Sequence, residues 1–345
     1  MKIAIFTDVH WSTNTSIVRQ RGDKYSLRLE MLIKGLCWFN ELAKKNECGL
    51  CVCAGDFFDK STCNDEELSA LKEVNWLDEY HQIDFIVGNH ESSRQDLEFT
   101  SVDALSSDSF RIIKKVMVEN YKDVQIYYLP YITEYDRKPL KEYLIDYDES
   151  KKHIIFSHND IANIQYGGFL SKTGFSVEEI EQCCDLYLNG HIHNSEWITK
   201  KILNLGSMTA QNFTNDSFKY KYGAWILDTD TMSLDFFENP YSLNFYKIDV
   251  ESAEDLSIFK NLKDNAVVSC KCIDSLKDEL QKTLSDTKGI ITYKIIYTKE
   301  NVALDASNEQ ITLNSKDHLE QFKEYITQTL GLSEVVQQEL LEVCK

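Results

Sequence analysis

Five of the eight histidines in this 345-residue chain fall in short polar clusters that occur in a fixed order: Asp8-Val9-His10, Gly55-Asp56, Gly88-Asn89-His90-Glu91, His158 and Gly190-His191-Ile192-His193. Brought together, Asp8, His10, Asp56, Asn89, His158, His191 and His193 offer four imidazoles, two carboxylates and an amide oxygen, with His90 beside them. That is too many donors for one tetrahedral ion, but it suits two ions sharing a bridging carboxylate. Two metals ~3.5–4 Å apart are a known device for in-line displacement at phosphorus. The chemistry implied is phosphoester hydrolysis. An Asp-x-His or a His-x-His standing alone is common without any metal, so the reading rests on the ordered set.

Something must bring these distant clusters to one place. Each follows a short apolar run: Ile3 to Phe6, Leu50 to Ala54, Phe85 to Val87, Ile154 to Phe156 and Leu186 to Leu188. Short unbroken apolar runs separated by segments of helical periodicity read as strands covered on both faces by helices. In such α/β sheets the ligand crevice lies outside the carboxyl ends of the strands, so the clusters should converge there. Leu32, Leu36, Phe39 and Ala43 recur at helical spacing and mark one covering helix. Asp65 to about Tyr80, with Leu68, Leu71 and Val74 on one side, is another candidate. Ile202 to Leu205 reads as a strand ending in Gly206-Ser207, and Tyr222 to Leu227 as a strand paired with Ser233 to Phe237.

The ordered clusters resemble the calcineurin-like metallophosphoesterases and, within them, the SbcD-type nuclease subunits, including the small subunit of phage recombination endonucleases. The resemblance covers about residues 1–245. It implies an α/β fold, a β-sandwich flanked by helices, followed by a small α/β capping domain over 246–314 and terminal helices over 315–345. It also implies that Asp8, His10, Asp56 and His193 hold one ion, while Asp56, Asn89, His158 and His191 hold the other, with manganese expected and magnesium an alternative. By the same resemblance His90 is a general acid, or a cation facing phosphate oxygens, oriented by Asp8 or Glu91. Two positions depart from the pattern: Asp59 stands where many members have a histidine, and Glu91 where nucleases often have Asp. Gly-Asn-His-Glu also occurs in phosphoprotein phosphatases, but Asp59 is followed here by Lys60-Ser61 rather than Arg-Gly, and Ile86-Val87 precede Gly88 where those enzymes have an arginine.

Lys and Arg number 37 against 56 Asp and Glu, a net charge of −19, which opposes strong binding of DNA by the chain alone. Arg19, Arg21 and Lys24, and the aromatic-basic run Phe218-Lys219-Tyr220-Lys221-Tyr222, are the local features that could offset this. Arg19, Arg21, Lys219 and Asp59 are therefore candidate substrate contacts. The structural alternatives are a solvated loop for the first group and a hairpin strand for the second. Ten cysteines without a secretory signal read as reduced thiols, and the pairs Cys51/Cys53, Cys183/Cys184 and Cys270/Cys272 as small core residues. With 43% hydrophobic residues and no run of ~18 apolar residues, a cytoplasmic protein with no membrane segment is expected.

After about Tyr241 to Asp249 the character changes. A strand over Ala266 to Ile273, a helical stretch to about Leu284 and a strand over Gly289 to Tyr297 are expected, then two helices in Ser315 to Lys345 broken at Gly331. The chain lacks a P-loop motif. The resemblance therefore implies a separate SbcC-type coiled-coil ATPase as partner, docked on the terminal helices, with DNA as substrate and a homodimer through the helices near the second and third clusters. A cyclic-nucleotide or small-molecule phosphodiesterase or phosphatase, and a non-catalytic scaffold subunit, are the competing readings.

Overall fold

The computed structural model describes residues 1–13, 18–74, 82–92, 97–105, 109–166 and 169–298. The expected terminal helices, the end of the capping region and the second helix beyond Val74 lie outside the described residues. The chain runs β1 (Lys2–Phe6), α1 (Leu27–Lys45), β2 (Leu50–Cys53), α2 (Asp65–Leu71), β3 (Gln82–Ile86), β4 (Phe110–Ile113), β5 (Met117–Asn120), β6 (Val124–Leu129) and β7 (Lys152–Ser157). It continues with a short hairpin, β8 (Gln165–Tyr166) and β9 (Phe169–Leu170), then α3 (Val177–Cys183), β10 (Leu186–Asn189), β11 (Glu196–Trp197), β12 (Ile202–Asn204), β13 (Gly223–Asp228) and β14 (Ser233–Glu238). The last described elements are β15 (Asn244–Val250), β16 (Ala266–Ile273), α4 (Lys277–Asp286) and β17 (Ile290–Thr298).

Two six-stranded sheets, ordered β14-β13-β1-β2-β3-β4 and β11-β12-β10-β7-β6-β5, form a sandwich. Because strand side chains alternate between faces, each apolar run supplies two layers at once. Ile3, Ile5, Leu50 and Val52 meet Ile154, Phe156, Leu186 and Leu188 between the sheets. Ala4, Phe6, Cys51 and Cys53 point the other way, onto Leu29, Leu32, Leu36 and Phe39 of α1. On the far side Tyr127, Ile155 and Tyr187 pack on Ile180 of α3. This four-layer arrangement, helix on sheet on sheet on helix, is why the strands lack polar alternation.

Helices α1, α2 and α3 begin where the sequence supplies caps. Ser26 accepts a bond from Leu29 N at the start of α1, and Asn64 and Glu67 form a reciprocal capping box at α2. Leu71 and Val74 are core residues, whereas Leu68 is exposed. Phe218 and Lys219 lie in a turn and Tyr220 to Tyr222 in irregular backbone, rather than in the hairpin strand expected, and β13 begins only at Gly223.

The strands β15, β16 and β17 make a separate all-parallel sheet. One face carries Tyr246, Ile248, Val268 and Cys270 against Leu280 and Leu284 of α4. The other, through Phe245 and Val267, joins a cluster with Val18, Ala210, Tyr222 and Leu243, so this sheet shares a core with the region that carries the site. Nine cysteines within the described residues are free thiols. No helix among the described residues is long and apolar enough to cross a membrane.

Candidate metal centre

Within the sandwich, β1 to β4 run parallel, as do β6, β7, β10 and β12, and the loops leaving the carboxyl ends of both sets meet. Asp8, His10, Asp56 and Asn89 come from the first sheet, and His158, His191 and His193 from the second. His10 Nε2 lies 2.9 Å from His193 Nε2, and these nitrogens lie 3.9 and 3.7 Å from Asp8 Oδ1. On the other side, His158 Nε2 lies 3.2 Å from Asn89 Oδ1, and His191 Nδ1 lies 3.0 Å from the same oxygen. Between the two groups stands Asp56, whose Oδ2 is 3.8 Å from His10 Nε2 and 3.2 Å from His158 Nε2.

The hydrogen bonds around this core determine which atoms remain to bind anything. Asp8 Oδ2 accepts from Thr7 Oγ1 at 2.6 Å and from His191 N at 3.1 Å, while Asp8 Oδ1 is buried without a partner. A buried carboxylate oxygen left bare beside two imidazole nitrogens is costly unless a cation completes it. His158 Nδ1 donates to Ala54 O at 2.7 Å, which leaves the lone pair on Nε2. His10 Nδ1 pairs with Asp59 Oδ1 at 3.2 Å, and His191 Nε2 with Asp160 Oδ1 at 3.1 Å, with the same effect at their other nitrogens. The donor set, one orphaned oxygen and oriented lone pairs in two groups around Asp56, fits two divalent cations.

Charge follows the same layout. Burial opposes ionisation of Asp56, yet His158, His10 and His90 around it hold its carboxyl well below the usual range. His158 is pulled up against its own burial to about 10 by Asp56, and His10 is raised against burial by Asp59, Asp56 and Asp8. His193, partly buried and facing His10, is pushed down to about 4 by desolvation and by that neighbouring ring. Two imidazoles at this separation cannot both carry a proton comfortably.

The loops adopt these positions under strain. Asp8, His10, Asp56 and His191 all have positive φ, at 51°, 49°, 50° and 74°. Left-handed backbone costs an L-residue roughly 1–2 kcal/mol. Two glycines are required by contact: a Cβ on Gly55, itself at φ 100°, would sit 2.1 Å from His158 Nδ1, and one on Gly88 would sit 2.1 Å from Asp56 Oδ1.

Several residues do other work than expected. Glu91 is fully buried, and its carboxylate accepts from Phe57 N, Phe58 N and Gly88 N, tying the second cluster to the third. Burial, with Asp56 nearby, pushes its carboxyl up to about 7. The His90 ring bonds through Nδ1 to Asp59 O at 2.9 Å, so a backbone carbonyl rather than Glu91 or Asp8 orients it. Asp59, expected as a substrate contact, pairs through Oδ1 with His10 Nδ1. Arg21 is paired with Glu66 and Lys219 with Asp216, and Arg19 is exposed on the same loop as Arg21. Asp160, Arg28 and Gln211 were not anticipated. Asp160 stands two residues after His158 and carried a local signal, whereas Arg28 and Gln211 belong to no motif.

Residues 1–195 match the family model described as calcineurin-like phosphoesterase. Among solved structures, the chain is similar to an archaeal phosphodiesterase at 14% identity, covering 69% of this chain and 99% of that one with a TM-score of 0.35. It is similar to the phosphoesterase Yfce from E. coli at 14% identity, covering 68% and 96% with a TM-score of 0.32. A dimetal phosphatase from Danio rerio matches at 12% identity over 65% and 91%, with a TM-score of 0.39. No curated protein matches.

Proposed function

Starting from the fact that this chain belongs to the calcineurin-like phosphoesterase family, we propose that it is a two-metal phosphodiesterase acting on DNA, the catalytic subunit of an SbcD-type nuclease. The observation that carries the two-metal reading is the pair of donor groups that share Asp56 Oδ2. Asp8, His10, Asp56 and His193 would hold one ion, and Asp56, Asn89, His158 and His191 the other. When bound, such ions supply Lewis acidity and neutralise charge at phosphorus. Manganese, with magnesium as the alternative, is the metal the resemblance favours.

The protein's own part is positioning and proton transfer. Asp59 and Asp160 fix the ring faces of His10 and His191. His90 has an exposed side chain, and with Nδ1 anchored on Asp59 O its Nε2 lies 4.0 Å from Asp56 Oδ2, at the mouth of the shared carboxylate. A protonated His90 can therefore donate from Nε2 to a phosphate oxygen or to the departing sugar oxygen.

DNA as substrate is supported by the resemblance of the ordered clusters and by the sheet β15 to β17 that follows them. A separate coiled-coil ATPase and a homodimer belong to the same proposal, the partner supplying the basic surface that a chain of net charge −19 lacks. One observation favours a small phosphodiester instead: Arg21 and Lys219 are neutralised by Glu66 and Asp216. The deciding experiment compares manganese-dependent release of nucleotides from linear duplex DNA with hydrolysis of cyclic nucleotides and bis-p-nitrophenyl phosphate, with and without a coiled-coil ATPase. Turnover of DNA ends is expected. Hydrolysis of the small esters alone would make this a small-molecule phosphodiesterase.

A further inference from the structure

The loop Asp8-Val9-His10 contributes two of the proposed ligands, and both hold left-handed backbone. Such a loop keeps its shape only if its surroundings over-determine it. All three of its carbonyls are in fact held by two side chains from distant parts of the chain. Gln211 Nε2 donates to Asp8 O at 3.1 Å and to Val9 O at 3.4 Å. Arg28, from the first turn of α1, donates through one terminal nitrogen to His10 O at 3.0 Å and to Gln211 Oε1 at 2.5 Å. Gln211 is in turn held by its own backbone N–H on Asn215 Oδ1 at 3.0 Å.

Arg28 is an unusual residue to find there. It is almost fully buried, its Nε has no hydrogen-bond partner, and burial lowers its guanidinium to about 10 despite the help of Asp59. A buried cation is retained where its charge and its donors are both used. Here the charge supports ionised Asp59, which orients His10, and the donors close the loop.

We propose that Arg28 and Gln211 form a clamp that sets the metal affinity of the Asp8, His10 and His193 group, leaving the Asn89, His158 and His191 group largely unaffected. They are positioning residues that contact neither metal nor substrate. The inference rests on the dinuclear reading above. The clamp acts on the first group because it binds that loop's carbonyls, whereas the imidazole rings of His158 and His191 are oriented by Ala54 O and Asp160.

The test is calorimetric titration of the full chain with Mn2+ alone, together with manganese EPR. Wild-type protein should bind two equivalents and give an exchange-coupled spectrum. Gln211→Glu keeps an acceptor for Arg28 and removes both amide donors to the loop. By charge alone an added carboxylate would tighten cation binding, so a loss of affinity reports the lost carbonyl bonds. One site should weaken at least tenfold, the other should stay within twofold, and at one equivalent the spectrum should be that of an isolated ion. Arg28→Met should act in the same direction, and if it does not fold, Gln211→Glu decides. Wild-type affinities in Gln211→Glu, or equal weakening at both sites, would overturn the clamp. Failure of wild-type protein to bind two ions would instead overturn the dinuclear reading.

Discussion

Among the four imidazoles that face Asp56 or Asp8, His90 has the most open side chain, 41% exposed against 27% for His193, 4% for His10 and 0% for His158. The most exposed ring, anchored by one nitrogen, is placed to touch substrate, while the less exposed rings turn their free nitrogens toward Asp8, Asp56 and Asn89. Replacing His90 with Ser should therefore lower turnover by roughly 10²–10⁴-fold and leave manganese stoichiometry intact, as steady-state kinetics and metal analysis would show. Asp160→Ala frees His191 to rotate, and metal affinity should fall by about 10–100-fold in a calorimetric titration. At this scale the seven proposed ligands were visible in the sequence because each ends an apolar run. The residues that orient them were not. Arg28 and Gln211 reach the loop only through the fold, and no spacing in the chain relates them to His10. Nor could the sequence show that Arg21 and Lys219 meet carboxylates, Glu66 on α2 and Asp216 three residues upstream.

Strand β3 shows how an element can hide. Its apolar run begins at Phe85, yet the strand begins at Gln82, because Asp84 breaks the pattern while pointing between the sheets. Arg111 on β4 makes a two-pronged bond to that carboxylate, at 2.8 and 2.5 Å, and also pairs with Glu119 on β5 in the opposite sheet. Tyr121 completes the group by donating to Glu119 at 2.8 Å. This ionic link closes one side of the sandwich. Arg111→Met leaves Asp84 buried without a cation and should cost about 3–5 kcal/mol, read from urea denaturation. By contrast the middle of α1 was legible, since Leu32, Leu36, Phe39 and Ala43 keep one face, while its start at Leu27 behind the Ser26 cap lies before the periodic run. The run Phe218 to Tyr222 misled because aromatic residues favour strands, whereas Asp216 here opens a turn by accepting from Phe218 N.

For the molecule as a whole, acid sensitivity can be argued from His153, whose ring is buried between Gln125, Asp148 and Tyr147. Burial lowers its affinity for protons in the fold. The unfolded chain takes up that proton near the ordinary value of roughly 6.5, so stability should fall as pH drops below that point. His153→Gln should flatten this slope in a series of melting curves from pH 7.5 to 5. The family match and the sandwich agree with the reading of the clusters, and they concern the hydrolytic centre rather than the choice of substrate. One topological fact reaches further. β1 lies in the interior of its sheet, paired on one side with β2 and on the other with β13, so that Lys2 faces Asp228. During synthesis on the ribosome, at about 5–20 residues per second, the earliest strand therefore waits many seconds for its second neighbour. Throughout that interval Asp8 and His10 have no finished sheet behind them, and a nascent chain released before β13 would carry an open, aggregation-prone edge in the middle of what should be its core.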